Sequence, residues 1–321
     1  MSPLTNELRL ATRGSRLALK QASLVADLVT RAHPSVSVEI VTITTKGDKD
    51  ARPFAAIGGK GLFTSEVERA LVEGSADIAV HSAKDLTAEL APGCVIVCVP
   101  QRASVHDVVV GGTGASGEER LASLPSGAVV GTSSMRRRAL LAEARGDLET
   151  RELRGNLDTR LRKVEEGEMD AAILAAAGIE RLLGSSPEGA LDPGWWVPAP
   201  GQGALAVEAL EERDDVREIF SGLDDPAARG EVTAERAFAE RLEGGCSVPL
   251  GCHARASGSG LVLTGLLGSV DGSNNLRDRL SGSMHEAAQL GIELADAILR
   301  AGGDEILAEL KETDTPEPVE P

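Results

Sequence analysis

The chain has 321 residues, of which 42% are hydrophobic, and a formal net charge of −17. Because a single hydrophobic core stops growing at roughly 250–300 residues, two or three domains are expected. The acidic balance argues against nucleic acid and anionic membranes as partners, since both would repel the chain.

The sequence shows no segment typical of membrane insertion or secretion. No stretch approaches about 18 uninterrupted apolar residues. The start, "MSPLTNELRLATRGS", has neither the basic region nor the apolar core of a signal peptide. We therefore expect a cytoplasmic protein. The cytosol keeps thiols reduced, so four cysteines in a chain of this length do not predict a disulfide framework.

The first hundred residues alternate between strand and helix patterns. Strand patterns cover residues 8–12, 36–44, 76–83 and 94–100, and helix patterns run from the first strand to Pro34 and over residues 61–74. This alternation is typical of an α/β domain. Cys94 and Cys98 are four residues apart in one strand, so we expect them to share a face and to be small buried core residues.

From about residue 104 the alternation restarts. Strand patterns at 127–133, 150–155 and 170–178 alternate with helix patterns at 134–147, 157–168 and 179–184. Two junctions echo each other, because "ATRGSRLAL" and "VGTSSMRRRALL" both run from a strand through Thr and Ser into an Arg-bearing helix start. Helix N-termini offer free N–H groups and a positive dipole end. The junctions therefore predict a clamp for carboxylates or phosphates at the carboxyl ends of the strands.

The last third of the chain changes character. A Pro- and Gly-rich segment leads into a strand pattern at 204–210, and crossovers near 102–104 and 197–200 would form a hinge. Beyond it, helix patterns at 226–245 and 284–303 flank a strand pattern at 260–270, which indicates a small α+β domain. The predicted domains are 1–103 with 198–222, then 104–197, then 223–310, followed by a disordered acidic tail at 311–321.

Arginine is concentrated in one part of this acidic chain. The residues concerned are Arg136, Arg137, Arg138, Arg151, Arg154, Arg160 and Arg162. A local cationic site on an acidic protein suggests small anions as ligands. The alternative is a solvated helix face on which the arginines pair with acidic residues four positions away.

Two strand-to-loop segments carry groups suited to chemistry. "AVHSAKDL" ends a strand with Lys84 and Asp85, where a carboxylate can stabilise a cation on a substrate. The alternative is that Asp85 caps the next segment and Lys84 lies on the surface. "IGGKGLF", around Lys60, lacks the phosphate-binding loop pattern, and its glycines indicate a mobile loop that can fold over a ligand.

Cys246 lies in "EGGCSVPLGCHA", between glycines and a Val-Pro step. Together with Cys252 and His253 it matches none of the usual zinc spacings, so we predict no metal site. The reducing compartment also disfavours a disulfide. The residues alone leave open whether Cys246 is an inert loop residue or a nucleophile.

Seven segments together resemble one known family. They are "ATRGSRLALKQ", "GGKGLF", "HSAKDL", "VGTSSMRRRA", "RGNLDTRLRK", "PAPGQGALAVE" and "GGCSVPLG". Their order and rough spacing, over about residues 8–255, resemble those of the porphobilinogen deaminase (hydroxymethylbilane synthase) family. One departure is Thr87, where the family usually has Pro, and the resemblance is weak after about residue 256.

The resemblance implies two α/β domains like those of periplasmic binding proteins, joined by a double-crossover hinge, and a small α+β C-terminal domain. It implies a monomeric transferase that joins four porphobilinogen molecules head to tail and releases four ammonia molecules. The implied cofactor is a dipyrromethane primer held by a thioether to Cys246, which makes that thiol the nucleophile.

The resemblance also assigns roles to individual residues. Asp85 matches the catalytic aspartate, which is expected to bind pyrrole N–H groups and to stabilise the cation formed as ammonia leaves. Six pyrrole rings would carry about a dozen carboxylates, which Arg binds well. The expected cofactor- or substrate-binding residues are Arg13, Ser15, Lys84, Ser134, Arg136, Arg137, Arg154 and Arg160. Asp48, Lys60 and Phe63 match the mobile loop.

Two other classes of function remain as alternatives. A non-catalytic, two-lobed binding protein for a carboxylate ligand could use the same helix ends. A thiol-dependent acyl transferase would need a His near Cys246, and only His253 is close in sequence.

Overall fold

The computed structural model of the chain describes residues 6–45, 64–87, 89–244 and 248–313. Four predicted site residues, Asp48, Lys60, Phe63 and Cys246, lie outside the described residues. The strands are β1 (Glu7–Arg13), β2 (Ser37–Ile43), β3 (Ile78–Ser82), β4 (Cys94–Cys98), β5 (Asp107–Gly111), β6 (Val129–Gly131), β7 (Glu149–Arg151), β8 (Ala171–Ala175), β9 (Leu205–Leu210), β10 (Leu250–Ser257), β11 (Gly260–Gly268) and β12 (Asn275–Ser283). The α-helices are α1 (Arg16–Ala32), α2 (Ser65–Val72), α3 (Gly117–Ser123), α4 (Met135–Ala144), α5 (Leu157–Glu165), α6 (Ala176–Leu183), α7 (Asp214–Phe220), α8 (Pro226–Arg241), α9 (Ala287–Ile298) and α10 (Asp304–Thr313).

The chain divides into two compact units. Unit 1 contains residues 1–106, 175–187 and 201–232, and unit 2 contains residues 107–174, 188–200 and 233–321. Unit 2 holds both the second α/β sheet and the C-terminal sheet. The division into three domains and a tail therefore stays a prediction.

Unit 1 is built on a five-stranded sheet in the order β2-β1-β3-β9-β4. Strand β1 pairs in parallel with β2 and β3, whereas β9 runs antiparallel to β3 and β4. One face buries the apolar side of α1, including Val25 and Val29, together with α7. The other face packs against α2 through Val67 and Leu71. As the sequence predicts, α1 ends just before Pro34, which cannot donate a backbone hydrogen bond.

Unit 2 contains a second α/β sheet, in the order β5-β8-β6-β7, with β6 parallel to both β7 and β8. The order β7-β6-β8 in this sheet corresponds to β2-β1-β3 in the first sheet. Strand β6 leads into α4 and then β7, as β1 leads into α1 and then β2. The two similar strand-to-helix junctions in the sequence therefore belong to two sheets with the same topology.

The C-terminal part of unit 2 is a three-stranded antiparallel sheet, β10-β11-β12. Its core contains Phe238, Leu263 and Leu294, from α8, β11 and α9. The predicted α/β class with a small α+β part is confirmed by these sheets. Strand β12 lies at the edge of this sheet. Its sequence, "NLRDRLSGS", is mostly polar and does not alternate strictly between apolar and polar residues.

The prediction that Cys94 and Cys98 share a face of β4 is wrong. The pairing of β4 with β9 shifts between Ile96 and Cys98, and such an irregularity turns the following residue to the other side of the sheet. Cys94 packs beside α2, whereas Cys98 lies in the core beneath α1. Both are buried, as expected for small core residues.

Candidate active site

The strand that carries the predicted catalytic residue ends in a tight turn. Strand β3 is buried from Ile78 to His81. After Ser82 the chain forms a single 3-10 turn, Ala83–Asp85, which is closed by a hydrogen bond from Leu86 N to Ala83 O. Ala83 is buried and Asp85 is exposed. The turn therefore fixes the backbone on one side and presents the Asp85 carboxylate on the other.

The junction between β1 and α1 forms the second part of the site. Ser15 is the N-cap of α1, and its side chain accepts a hydrogen bond from Ala18 N at 3.2 Å. This cap satisfies one of the free N–H groups of the first turn and leaves the positive end of a 17-residue helix at the site. Arg13, at the end of β1, is half-buried. The junction therefore favours an anion.

A pocket within unit 1 brings these elements together. Its lining includes Thr12, Arg13, Ser15, Gln21, Thr64, Val67, Val80, His81, Ser82 and Asp85. Across the pocket wall, Gln21 Nε2 donates to Ser82 Oγ at 2.9 Å, which ties α1 to the end of β3. The structure thus places the predicted residues Arg13, Ser15 and Asp85 in one pocket.

Several polar residues of unit 1 make buried contacts that the sequence did not predict. Gln21 is buried on the apolar face of α1, and a polar residue at that position was a readable signal. His81 Nε2 lies 3.1 Å from Glu208 Oε2, and both side chains are buried. Arg181 Nη2 donates to Gly203 O at 2.6 Å, and burial lowers the pKa of this guanidinium to about 10. The contacts of His81 with Glu208 and of Arg181 with Gly203 join elements that are distant in sequence, so local patterns could not predict them.

The two arginines at the start of α4 have internal partners. Arg136 Nη2 and Arg137 Nη2 each donate to the Asp107 carboxylate at 2.7 Å. Arg136 also donates to Val197 O and Arg137 to Ile173 O, both at 2.8 Å. Burial would raise the pKa of Asp107, but the two guanidinium groups outweigh it and hold that pKa far below its usual range. This cluster lies inside unit 2.

The other predicted ligands of unit 2 lie nearer the surface. Ser134 is the N-cap of α4, with Arg137 N 3.5 Å from its side-chain oxygen. Arg154 Nε donates to Glu152 at 2.9 Å, and Arg160 Nε donates to Gly155 O at 2.8 Å. Both arginines are half-buried. Their binding role stays a prediction.

The residues on both sides of the Cys246 segment pack together. Helix α8 ends before Leu242, which is buried, and Gly244 N donates to Ala239 O at 2.8 Å. A Cβ atom on Gly244 would meet Leu250 Cδ2 and lie 2.9 Å from Ala239 O, so a larger residue would force this contact to open. The end of α8 and the start of β10 are therefore in close contact.

The buried thiols of unit 1 should be chemically inert. Burial, and then the nearby Glu208 carboxylate, raise the pKa of Cys94 to about 12, and burial raises the pKa of Cys98 to about 12. Thiolate, not thiol, is the nucleophile. We expect neither residue to be alkylated by iodoacetamide at pH 8 in the folded chain and both to react in urea, as read by peptide mass spectrometry. Alkylation of either in the native chain would contradict this expectation.

Two further observations limit the kinds of site. Among the described residues, no group of three His, Cys, Asp or Glu side chains is placed to hold a metal ion. Within the same ranges, no helix has the length and apolar character that crossing a membrane requires. The pocket in unit 1 brings together three of the predicted site residues, Arg13, Ser15 and Asp85.

The fold and the pocket define an α/β protein in which a carboxylate, an arginine and a helix N-terminus line one pocket, and such groups suit a ligand that carries both anionic and N–H groups. Residues 8–218 match the family model described as "Porphobilinogen deaminase, dipyromethane cofactor binding domain", and residues 230–300 match that described as "Porphobilinogen deaminase, C-terminal domain". The chain belongs to the porphobilinogen deaminase family.

Two relatives are similar over nearly their whole length. The porphobilinogen deaminase of Roseiflexus castenholzii is 47% identical over 307 residues, covering 95% of this chain and 100% of the relative. That of Syntrophotalea carbinolica is 45% identical over 314 residues, covering 97% and 98%. The family resemblance in the sequence motifs is thereby confirmed.

Solved structures with partial similarity include the VFT2 domain of BvgS from Bordetella pertussis. It is 15% identical, covers 67% of this chain and 85% of that domain, and has a TM-score of 0.39. Substrate binding domain 2 of GlnP from Lactococcus lactis is 10% identical, covers 69% and 89%, and has a TM-score of 0.40. The α/β assignment rests on the sheets themselves and not on these similarities.

Proposed function

We propose that the chain is a hydroxymethylbilane synthase, which joins four porphobilinogen molecules head to tail and releases four ammonia molecules to give linear hydroxymethylbilane. The observation that carries this proposal is the match of both porphobilinogen deaminase domains in order along one chain. Relatives that are 47% and 45% identical carry the same name. The alternative of a non-catalytic binding protein has no comparable support.

The described residues fit a dipyrromethane cofactor, the group named for the domain at residues 8–218. Pyrrole rings offer N–H donors, for which the exposed Asp85 carboxylate is an acceptor. Their acetate and propionate groups suit Arg13 and the N-terminus of α1, which line the same pocket. Cys246 would hold the cofactor through a thioether. When bound, the cofactor supplies the pyrrole carbon to which the first substrate molecule is joined.

Asp85 would act on each incoming substrate. In the protonated aminomethyl group the bond between carbon and nitrogen breaks, ammonia leaves with the electron pair, and the positive charge spreads over the pyrrole ring. An ionised carboxylate next to that ring stabilises the charge as it develops. The methylene carbon of the substrate would then bond to the free α-carbon at the end of the pyrrole chain, and that carbon would lose its proton.

The cationic residues would hold the substrate carboxylates. Arg13, Ser15 and Lys84 belong to the pocket and turn of unit 1, while Ser134, Arg154 and Arg160 belong to unit 2. Arg136 and Arg137 also belong to the proposed set. Two guanidinium groups against the single Asp107 carboxylate leave an excess of positive charge at the start of α4, which favours an anion at that helix end.

The proposal also covers a loop near the substrate, the cellular compartment and the oligomeric state. We assign Asp48, Lys60 and Phe63 to a loop that folds over the substrate, which fits the glycines on both sides of Lys60. We further assign the enzyme to the cytoplasm and treat it as a monomer. Gel filtration with light scattering tests the oligomeric state directly.

Intact mass spectrometry tests the cofactor attachment. The purified chain should be heavier than its sequence by two pyrrole units, and Cys246→Ser should have the mass of its sequence and no activity. Cys252→Ala, which changes the neighbouring thiol, should keep the added mass. An active chain with an unmodified mass would overturn the proposal.

A further inference from the structure

The motif "PAPGQGALAVE" has no role in the function proposed above, yet it lies directly against the Ala83–Asp85 turn. Ala83 N donates to Ala204 O at 3.0 Å, and Ala83, Ala204 and Val232 share a small buried core. The segment around Gln202 therefore supports this turn from behind.

Two glycines allow the segment to approach this closely. Gly201 has φ of 74°, and a Cβ there would lie 2.9 Å from the backbone of Ala83 and Lys84. Gly203 has φ of 85°, and its Cβ would lie 2.5 Å from Ala103 O. Because positive φ is costly for other residues, both positions require glycine.

Gln202 is fully buried, and its amide has a fixed orientation. Nε2 donates to Val105 O at 2.8 Å, so Oε1 faces the other way and accepts from Lys84 Nζ at 3.4 Å. The backbone is held as well, because Arg102 Nε donates to Gln202 O at 3.0 Å while Arg102 Nη1 contacts Glu231 at 3.1 Å. Because Val105 O holds the side-chain amide and Arg102 holds the backbone, Oε1 is a rigid acceptor for Lys84.

We propose that Gln202 is a positioning residue for Lys84: it holds the Lys84 ammonium in the direction needed to bind a substrate carboxylate beside Asp85. The proposal rests on the proposed function. Lys84 has four rotatable side-chain bonds, and fixing them before the substrate binds removes an entropic cost from binding and reaction. Gln202 itself touches neither the substrate nor the reacting atoms.

A double-mutant cycle tests the proposal. Gln202→Met keeps the length of the side chain but removes both amide contacts. We expect kcat/KM for porphobilinogen to fall at least about tenfold, since a misplacement of about 1 Å at a reaction site can cost about 10²-fold. In a Lys84→Met background the same change should have no further effect, because the group that it positions is gone. Thermal unfolding is measured for all four proteins.

Two variants keep the test decisive. Gln202→Asn retains an amide that is too short to serve both partners, so it should repeat the result if Gln202→Met does not fold. Gln289→Met, which removes an exposed glutamine amide on α9, is the matched control and should leave kcat/KM within about twofold in both backgrounds. If Gln202→Met lowered kcat/KM by the same factor in the parent and in the Lys84→Met background, Gln202 would have a general structural role and the proposal would be overturned. A wild-type chain that converts no porphobilinogen would instead overturn the proposed function.

Discussion

Asp85→Asn should fold like the parent chain and should convert porphobilinogen about 10²–10³ times more slowly, because removing one group that stabilises developing charge typically costs this much. Asn retains the shape and one acceptor oxygen but no negative charge. The side chain is exposed at the end of a tight turn, so the fold loses no buried contact. The loss should appear mainly in kcat, since the cation exists only after ammonia begins to leave.

The measurement is ammonia release or porphobilinogen consumption at saturating substrate, together with the melting temperature. Asp27→Asn, on the exposed side of α1, is the matched control and should change neither quantity. If Asp85→Asn turned over at the parent rate, the catalytic assignment would be wrong. A lower melting temperature with a proportionate loss of activity would indicate a structural role instead.

The location of Asp85 was predictable because the signal is local. An apolar strand and the short polar turn that follows it are both encoded within a few residues, and strand ends are where α/β sheets place ligands. The same holds for the β1–α1 junction, in which Ser15 is both the cap and the predicted ligand. Local patterns therefore predicted one wall of the pocket.

Some missed elements also had local signals. Helix α3 starts at Gly117 inside a glycine-rich stretch, and Ser116 with Glu119 forms a capping box at its N-terminus. That spacing of Ser and Glu is a helix-start signal that glycine obscured. Strands β10 and β12 carry few β-branched residues, so neither composition nor alternation marked them.

The partners of the arginines could not be predicted from local patterns. Arg136 and Arg137 meet Asp107, which lies 29 and 30 residues earlier at the start of an apolar strand. A run of arginines in an acidic chain indicates a cationic site, but it cannot distinguish an external anion from an internal carboxylate. That distinction depends on how β5 and α4 pack, and packing of distant elements is a property of the tertiary structure.

Asp107→Asn should destabilise unit 2 by about 3–5 kcal/mol, which is typical when one partner of a buried ion pair is removed. The Asp107 carboxylate accepts from Arg136, Arg137 and also Trp196 Nε1, at 2.9 Å. Without it, two buried guanidinium groups would face an amide and each other. The chain has only two tryptophans, and both belong to unit 2, so their fluorescence in urea reports on the unfolding of that unit.

The destabilisation caused by Asp107→Asn should depend on pH. The pKa of Asp107 lies far below its usual range when folded, so its contribution is fully present above the unfolded value near 3.9 and is lost as pH falls. The difference between parent and Asp107→Asn should therefore be largest at neutral pH and should shrink below about pH 4. Asp147→Asn breaks an exposed pair with Arg145 and should have little effect. A difference that does not depend on pH would mean that the carboxylate charge is not what holds the two arginines.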